Sequence, residues 1–243
     1  MTALKENLER LEETIGAACR AAGRARDEIE LMAVSKTYPA STVAEAAALG
    51  LTLFGENRVQ EFALKAPELA PLRSAPVNPI RVHLIGHLQS NKALRAVELF
   101  DGIDSVDSVR LAERLNEAAG KCGKLLPILL EVKLSPEETK AGLDPQSKEA
   151  AQLLERLPDL INLQTRGLMT IAPWGVPDAE TRACFSALRR WRDRWAAAHT
   201  RLSLDVLSMG MSGDFTIAIE EGATRIRIGT ALFGKRSPYT GPA

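Results

Sequence analysis

IELMAVSK (residues 29–36), a short β-rich run with a helical stretch behind it, opens a pattern that repeats along the chain. LTLFGE (51–56), RVHLIG (81–86) and GIDSVDS (102–108) continue it, followed by LPILLEVK (126–133), INLQTRGLMT (161–170), LDVLSMG (204–210) and ATRIRIG (223–229). Between these runs lie segments whose apolar residues recur at three- and four-residue steps, the period of a helix with one buried face. Strands alternating with helices in right-handed crossovers make a parallel sheet, and eight such units close into a (β/α)8 barrel of the TIM type, an α/β fold. The 243 residues fit one such barrel of about 250 residues or two small domains, so length alone decides little. An open doubly wound sheet ranks second, because no Gly-x-Gly-x-x-Gly turn follows the first strand.

Ahead of the repeat, Leu4, Leu8, Leu11, Ile15, Ala18 and Ala22 share one face of an extra N-terminal helix that ends near Gly23. Cys184, Leu188, Trp191 and Trp195 form the apolar stripe of the sixth connecting helix, so the tryptophans read as core. APELAPLRSAPVNP (66–79) contains four prolines and reads as an extended loop before the third strand. No linker or low-complexity tract divides the chain, and residues 1–243 are expected to form a single domain.

Lys plus Arg (31) equals Asp plus Glu (31), so no global field draws the chain to nucleic acid or to an anionic membrane. Three scattered cysteines, Cys19, Cys122 and Cys184, argue against a disulfide framework or a CxxC metal site and point to a reducing cytoplasm. The N-terminus carries an amphipathic helix pattern instead of an export signal, and no apolar run approaches 18 residues.

Side chains alternate between the lumen and the helix layer along a barrel strand. If Ile226 and Ile228 face the helices, Arg225 and Arg227 point inward, and an inward guanidinium needs a carboxylate or a ligand acceptor. A structural ion pair, for example with inward Glu131, would satisfy Arg227 equally well. Lys36 ends the first strand at the C-terminal rim, where barrel active sites lie; a desolvated, uncharged lysine attacks aldehydes, although a lone strand-end lysine is ordinarily solvated. SMGMSGDF (208–215) and GTALFG (229–234) follow the last two strands, the pair of loops where barrels often hold phosphate, with Ser208, Ser212, Gly229 and Thr230 as candidate donors. An aldehyde-reactive lysine, an anion anchor and an arginine together suit pyridoxal phosphate. Arginine is a permanent donor, so the ring nitrogen facing it must accept, which makes a weak electron sink and argues against demanding carbanion chemistry.

AVSKTYP, FGENRVQEF, HLIGHLQSNK, EVKLSPEETKAG, RGLMTIAP, LSMGMSGDF and RIRIGTALFG, in this order over residues 29 to 234, resemble the motifs of the pyridoxal phosphate homeostasis proteins. The resemblance implies a barrel like that of alanine racemase (fold type III), with pyridoxal 5′-phosphate held as a Schiff base on Lys36. Arg227 would meet the pyridine nitrogen, Ser208, Gly229 and Thr230 the phosphate, and Asn57 and His83 would belong to the cofactor pocket. It implies a cytoplasmic, monomeric protein that sequesters the cofactor or delivers it to apo-enzymes, affects amino-acid balance, and has no established turnover, no metal and no nucleic-acid or membrane partner. A slow amino-acid racemase is the alternative. Against it, the chain lacks the racemase C-terminal domain that supplies a tyrosine base, and its only tyrosines are Tyr38 and Tyr239. A barrel aldolase forming a sugar-phosphate imine on Lys36 is a third reading. SKTYPA and SPEETKAG are polar rim loops that could move on ligand exchange.

Overall fold

The computed structural model describes residues 2–135 and 141–234. All eight strands form where the sequence pattern puts them: β1 (Glu30–Val34), β2 (Leu53–Glu56), β3 (Arg81–Leu84), β4 (Gly102–Val106), β5 (Leu126–Glu131), β6 (Leu163–Met169), β7 (Val206–Ser208) and β8 (Arg225–Ile228). They pair in chain order, all parallel, and β8 closes on β1 with Met32 opposite Arg227 and Ala33 opposite Ile228. Their near-continuous burial is what a parallel sheet covered by helices requires.

The helices are α1 (Ala3–Ala21), α2 (Ala40–Ala48), α3 (Val59–Arg73), α4 (Ala93–Leu99), α5 (Val109–Lys121), α6 (Lys148–Arg156), α7 (Asp178–Ala198), α8 (Phe215–Glu220) and α9 (Thr230–Phe233). α1 is the extra N-terminal helix; it buries Leu4, Leu11, Ile15, Ala18 and Cys19, and Asn7 Nδ2 donates to Leu232 O of α9 at 2.9 Å. In α7, Cys184, Leu188 and Trp195 are buried while Trp191 is partly covered, with the Arg194 guanidinium 4.5 Å from its ring centre. None of the helices among the described residues is long and apolar enough to cross a membrane.

One expectation fails. Residues 66–73 of the proline-rich stretch are the second half of α3, and only the part after Arg73 is a loop. Pro67 and Pro71 lie four residues apart on one exposed face, where water can hydrate the carbonyls that lose their donors, while Phe62, Lys65 and Leu69 are buried on the other side.

The outer core lies between sheet and helices, with Phe54, Phe62, Phe100 and Phe185 among its largest buried members. The lumen is built separately. Met32, Val34, Leu53 and Ile85 form an apolar plug, and Gly55 makes room for it, since a Cβ there would lie 2.8 Å from Met32 Sδ. Toward the N-terminal ends of the strands the lumen is charged. Arg225 donates to Glu30 (2.8 Å) and to Asp104 (2.9 Å), and His83 Nδ1 lies 2.8 Å from the other Asp104 oxygen. Burial opposes ionisation of Asp104, but His83 and Arg225 outweigh it and bring the carboxyl to about 2.

Candidate functional site

Lys36 follows β1 at the C-terminal mouth. It is half-buried and lines a cavity of about 560 Å³ with Thr37, Asn57, Arg58, Gln60, Glu61 and Leu64. The turn carrying it is strained, because Thr37 has φ 69°, a left-handed conformation that costs a side-chain-bearing residue about 1–2 kcal/mol. A buried charge network holds it there. The Thr37 N–H donates to Glu61, and Lys65 Nζ lies 3.1 Å from Glu61, 2.8 Å from Glu56 and 3.0 Å from Ser35 O. Ser35 Oγ donates to Glu56 at 2.7 Å. Burial raises the Glu56 carboxyl's pKa, and Lys65 opposes that rise. Lys36 therefore sits on a turn anchored from below by α3.

Arg227 faces the lumen as its parity demands and is 4% exposed. Its guanidinium donates to Ser208 O (2.7 Å), Ser208 Oγ (2.9 Å) and Thr170 O (2.8 Å), leaving two of the five N–H groups of an arginine for another acceptor. Glu131, the alternative ion-pair partner, makes no such bond; it acts on Arg227 only through its charge. Its own carboxyl is raised to about 7 by burial and by Asp107, with Arg227 pulling the other way.

The loops after β7 and β8 meet at the same mouth, where the Ala231 N–H donates to Ser212 Oγ at 3.2 Å. Asp214 fixes the first loop by accepting from the Met211 N–H, and Gly210 (φ 93°) is obligatory there because a Cβ would lie 2.6 Å from Ala218 Cβ. Tyr38 ties the second loop to the Lys36 turn, since its hydroxyl donates to Gly234 O at 2.9 Å and its ring packs 4.9 Å from Phe233.

Lys36 and Asn57 thus share one cavity wall, Gly229 lies beside the end of β1 near Val34, and Thr230 is exposed at the mouth. Ser208 is fully buried with its hydroxyl against Arg227. His83 is not brought to Lys36. It lies in the charged lower lumen and lines a different cavity with Glu30, Arg81 and Arg225, because its register opposite Gly102 sets it there; a Cβ on Gly102 would sit 2.5 Å from the His83 ring. Met209 packs in the helix-side core, and Met169 is fully buried. Residues 136–140 of SPEETKAG, and Tyr239, lie outside the described residues. The Glu56–Lys65–Glu61 network was not foreseen; Glu61 and Lys65 at i, i+4 were its one local signal.

The model of the family described as alanine racemase, N-terminal domain, matches residues 1–237. A pyridoxal phosphate homeostasis protein of Pseudomonas aeruginosa is 43% identical over 243 residues, covering all of both chains. The chain belongs to the pyridoxal phosphate homeostasis protein family. The homeostasis protein of Escherichia coli is 39% identical over 97% of this chain and 98% of its own. Among solved structures, PipY of Synechococcus elongatus with PLP bound is 44% identical at a TM-score of 0.79, covering 90% of this chain and all of its own. An alanine racemase of Clostridium difficile, 17% identical with a TM-score of 0.73, covers 97% of this chain but only 58% of its own, and shows the shared barrel alone.

Proposed function

We propose that this chain binds pyridoxal 5′-phosphate covalently on Lys36 and serves in its homeostasis in the cytoplasm, as a monomeric single domain that holds the reactive aldehyde and yields it to apo-enzymes. The observation that carries the reading is the half-buried Lys36 on a strained, network-held turn at the same mouth as Arg227 and the loops after β7 and β8. The name of the P. aeruginosa relative and the PLP bound in PipY support it.

The donor set fits the cofactor. When bound, pyridoxal phosphate supplies an electrophilic aldehyde and a phosphate dianion. Lys36 is the amine for the aldehyde, and the anchored turn limits its reach to the mouth. Arg227 keeps two N–H groups for the ring nitrogen, and since a guanidinium is never deprotonated it can only donate. Ser208 turns that guanidinium by accepting from it and keeps its own O–H to donate. Gly229, Thr230 and Ser212 offer the phosphate backbone and hydroxyl donors. Asn57 borders Lys36 and completes the pocket, whereas His83 serves the lower charge network and not the cofactor. Tyr38 is spent on Gly234, so it is no free base for a two-base racemisation.

Incubation with the cofactor, gel filtration and absorption spectroscopy test the reading. A yellow monomer at one cofactor per chain that restores activity to an apo-enzyme supports it; a chain that emerges colourless contradicts it.

A further inference from the structure

A buried carboxyl with one unpartnered oxygen lies in the upper lumen. Glu131 ends β5, is 7% exposed, and its Oε2 is buried without a partner. Arg227, the cation nearest in effect, gives its bonds to Ser208 and Thr170 instead. An unsatisfied buried acceptor is uncommon in folded proteins and calls for a cause. Glu131 also lines a cavity of about 230 Å³ together with Asn57, Gly86, Ser135, Ile85 and Ile171. Asn57 is the common wall between this cavity and the one at Lys36.

We infer that this cavity binds the ammonium group of a small primary amine, with Glu131 accepting its N–H bonds and Ile85 and Ile171 covering its short apolar chain. The charge distribution selects that class. Asp107 adds a second negative charge to the surroundings of Glu131, so an anionic head there would be repelled, and a neutral hydroxyl would leave the charge of Glu131 uncompensated. Among the described residues, the other ionisable groups facing the site are Arg227, Lys133 and His87, and His87 Nδ1 lies 3.3 Å from Asp107. The site is independent of cofactor chemistry and goes beyond the proposed function: it is formed by the cofactor-free chain.

Calorimetric titration of the cofactor-free protein with n-propylamine and, separately, with L-alanine tests the inference, using wild type and Glu131→Gln at pH 6 and pH 8. Saturable binding of either ligand to the wild type is expected at pH 8, weakened about tenfold or more in Glu131→Gln by loss of a charge-assisted bond. With the Glu131 carboxyl at about 7, its ionised fraction rises about tenfold from pH 6 to pH 8, and wild-type affinity should rise with it while the variant's stays flat. Binding of propylamine alone assigns the site to simple amines, and binding of both extends it to amino acids; either supports the inference. No saturable binding of either ligand to the wild type overturns it, as do equal affinities in wild type and variant. The wild-type pH series stands even if Glu131→Gln folds poorly. A failure of Lys36 to take up cofactor leaves every arm unaffected.

Discussion

Replacing Glu131 by glutamine should stabilise the cofactor-free protein in neutral solution, because it removes a buried ionisable group while keeping its shape. The folded carboxyl is raised to about 7 from 4.5, so the fold favours its protonated form. Its stabilising share is fully present below pH 4.5 and is lost as pH rises through 7. At 1.36 kcal/mol per unit the full loss is about 3 kcal/mol, of which about 2.5 kcal/mol falls between pH 5 and pH 8. Glutamine keeps the shape and cannot ionise. Urea unfolding of both proteins across pH 5 to 8 should show the variant gaining about 2.5 kcal/mol on the wild type, with equal m-values. Parallel curves for the two would refute the assignment of an ionisable, uncompensated carboxyl at this position.

Asp104→Asn should destabilise by about 3–5 kcal/mol, read from urea midpoints, because it leaves Arg225 short of a buried counter-charge. In the wild type the Asp104 carboxyl is depressed from 3.8 to about 2, so its contribution, about 2.5 kcal/mol, is present above pH 4 and is lost as pH falls through 2; acid titration by circular dichroism should lose that step in the variant. Lys65→Met should cost about 3–5 kcal/mol by the same measure, since it strands Glu56 and Glu61. Gly86→Ala would set a Cβ 2.3 Å from Asn57 O; the displaced loop should cost about 1–3 kcal/mol in stability and weaken cofactor retention measured by equilibrium dialysis.

The barrel was legible because each strand is bracketed by helices that cover the outer face of the sheet while lumen side chains fill the inner one, leaving short, largely aliphatic runs at regular spacing. The lumen-facing arginines could also be read, since alternation with Ile226 and Ile228 fixes parity within β8 itself. The partners of Arg227 are another matter: Ser208 ends β7 and Thr170 directly follows β6, and both depend on register that no local pattern encodes. His83 illustrates the same limit. Its strand and its inward direction follow from alternation, but its level in the lumen follows from the stagger against β4. Proline counts misread residues 66–73 because a breaker acts through the carbonyl it orphans, and Pro67 and Pro71 orphan theirs on the wet side of α3. The hold on the Lys36 turn joins β1, β2 and α3 through one lysine, and only its i, i+4 half is local.

Borohydride reduction of the cofactor-loaded wild type, followed by proteolysis and mass spectrometry of the peptides, addresses the attachment directly. The account predicts a single reduced pyridoxyl group per chain on the peptide carrying Ser35 and Lys36, with the added mass on Lys36. A label found chiefly on another lysine, or an unlabelled chain, would contradict it.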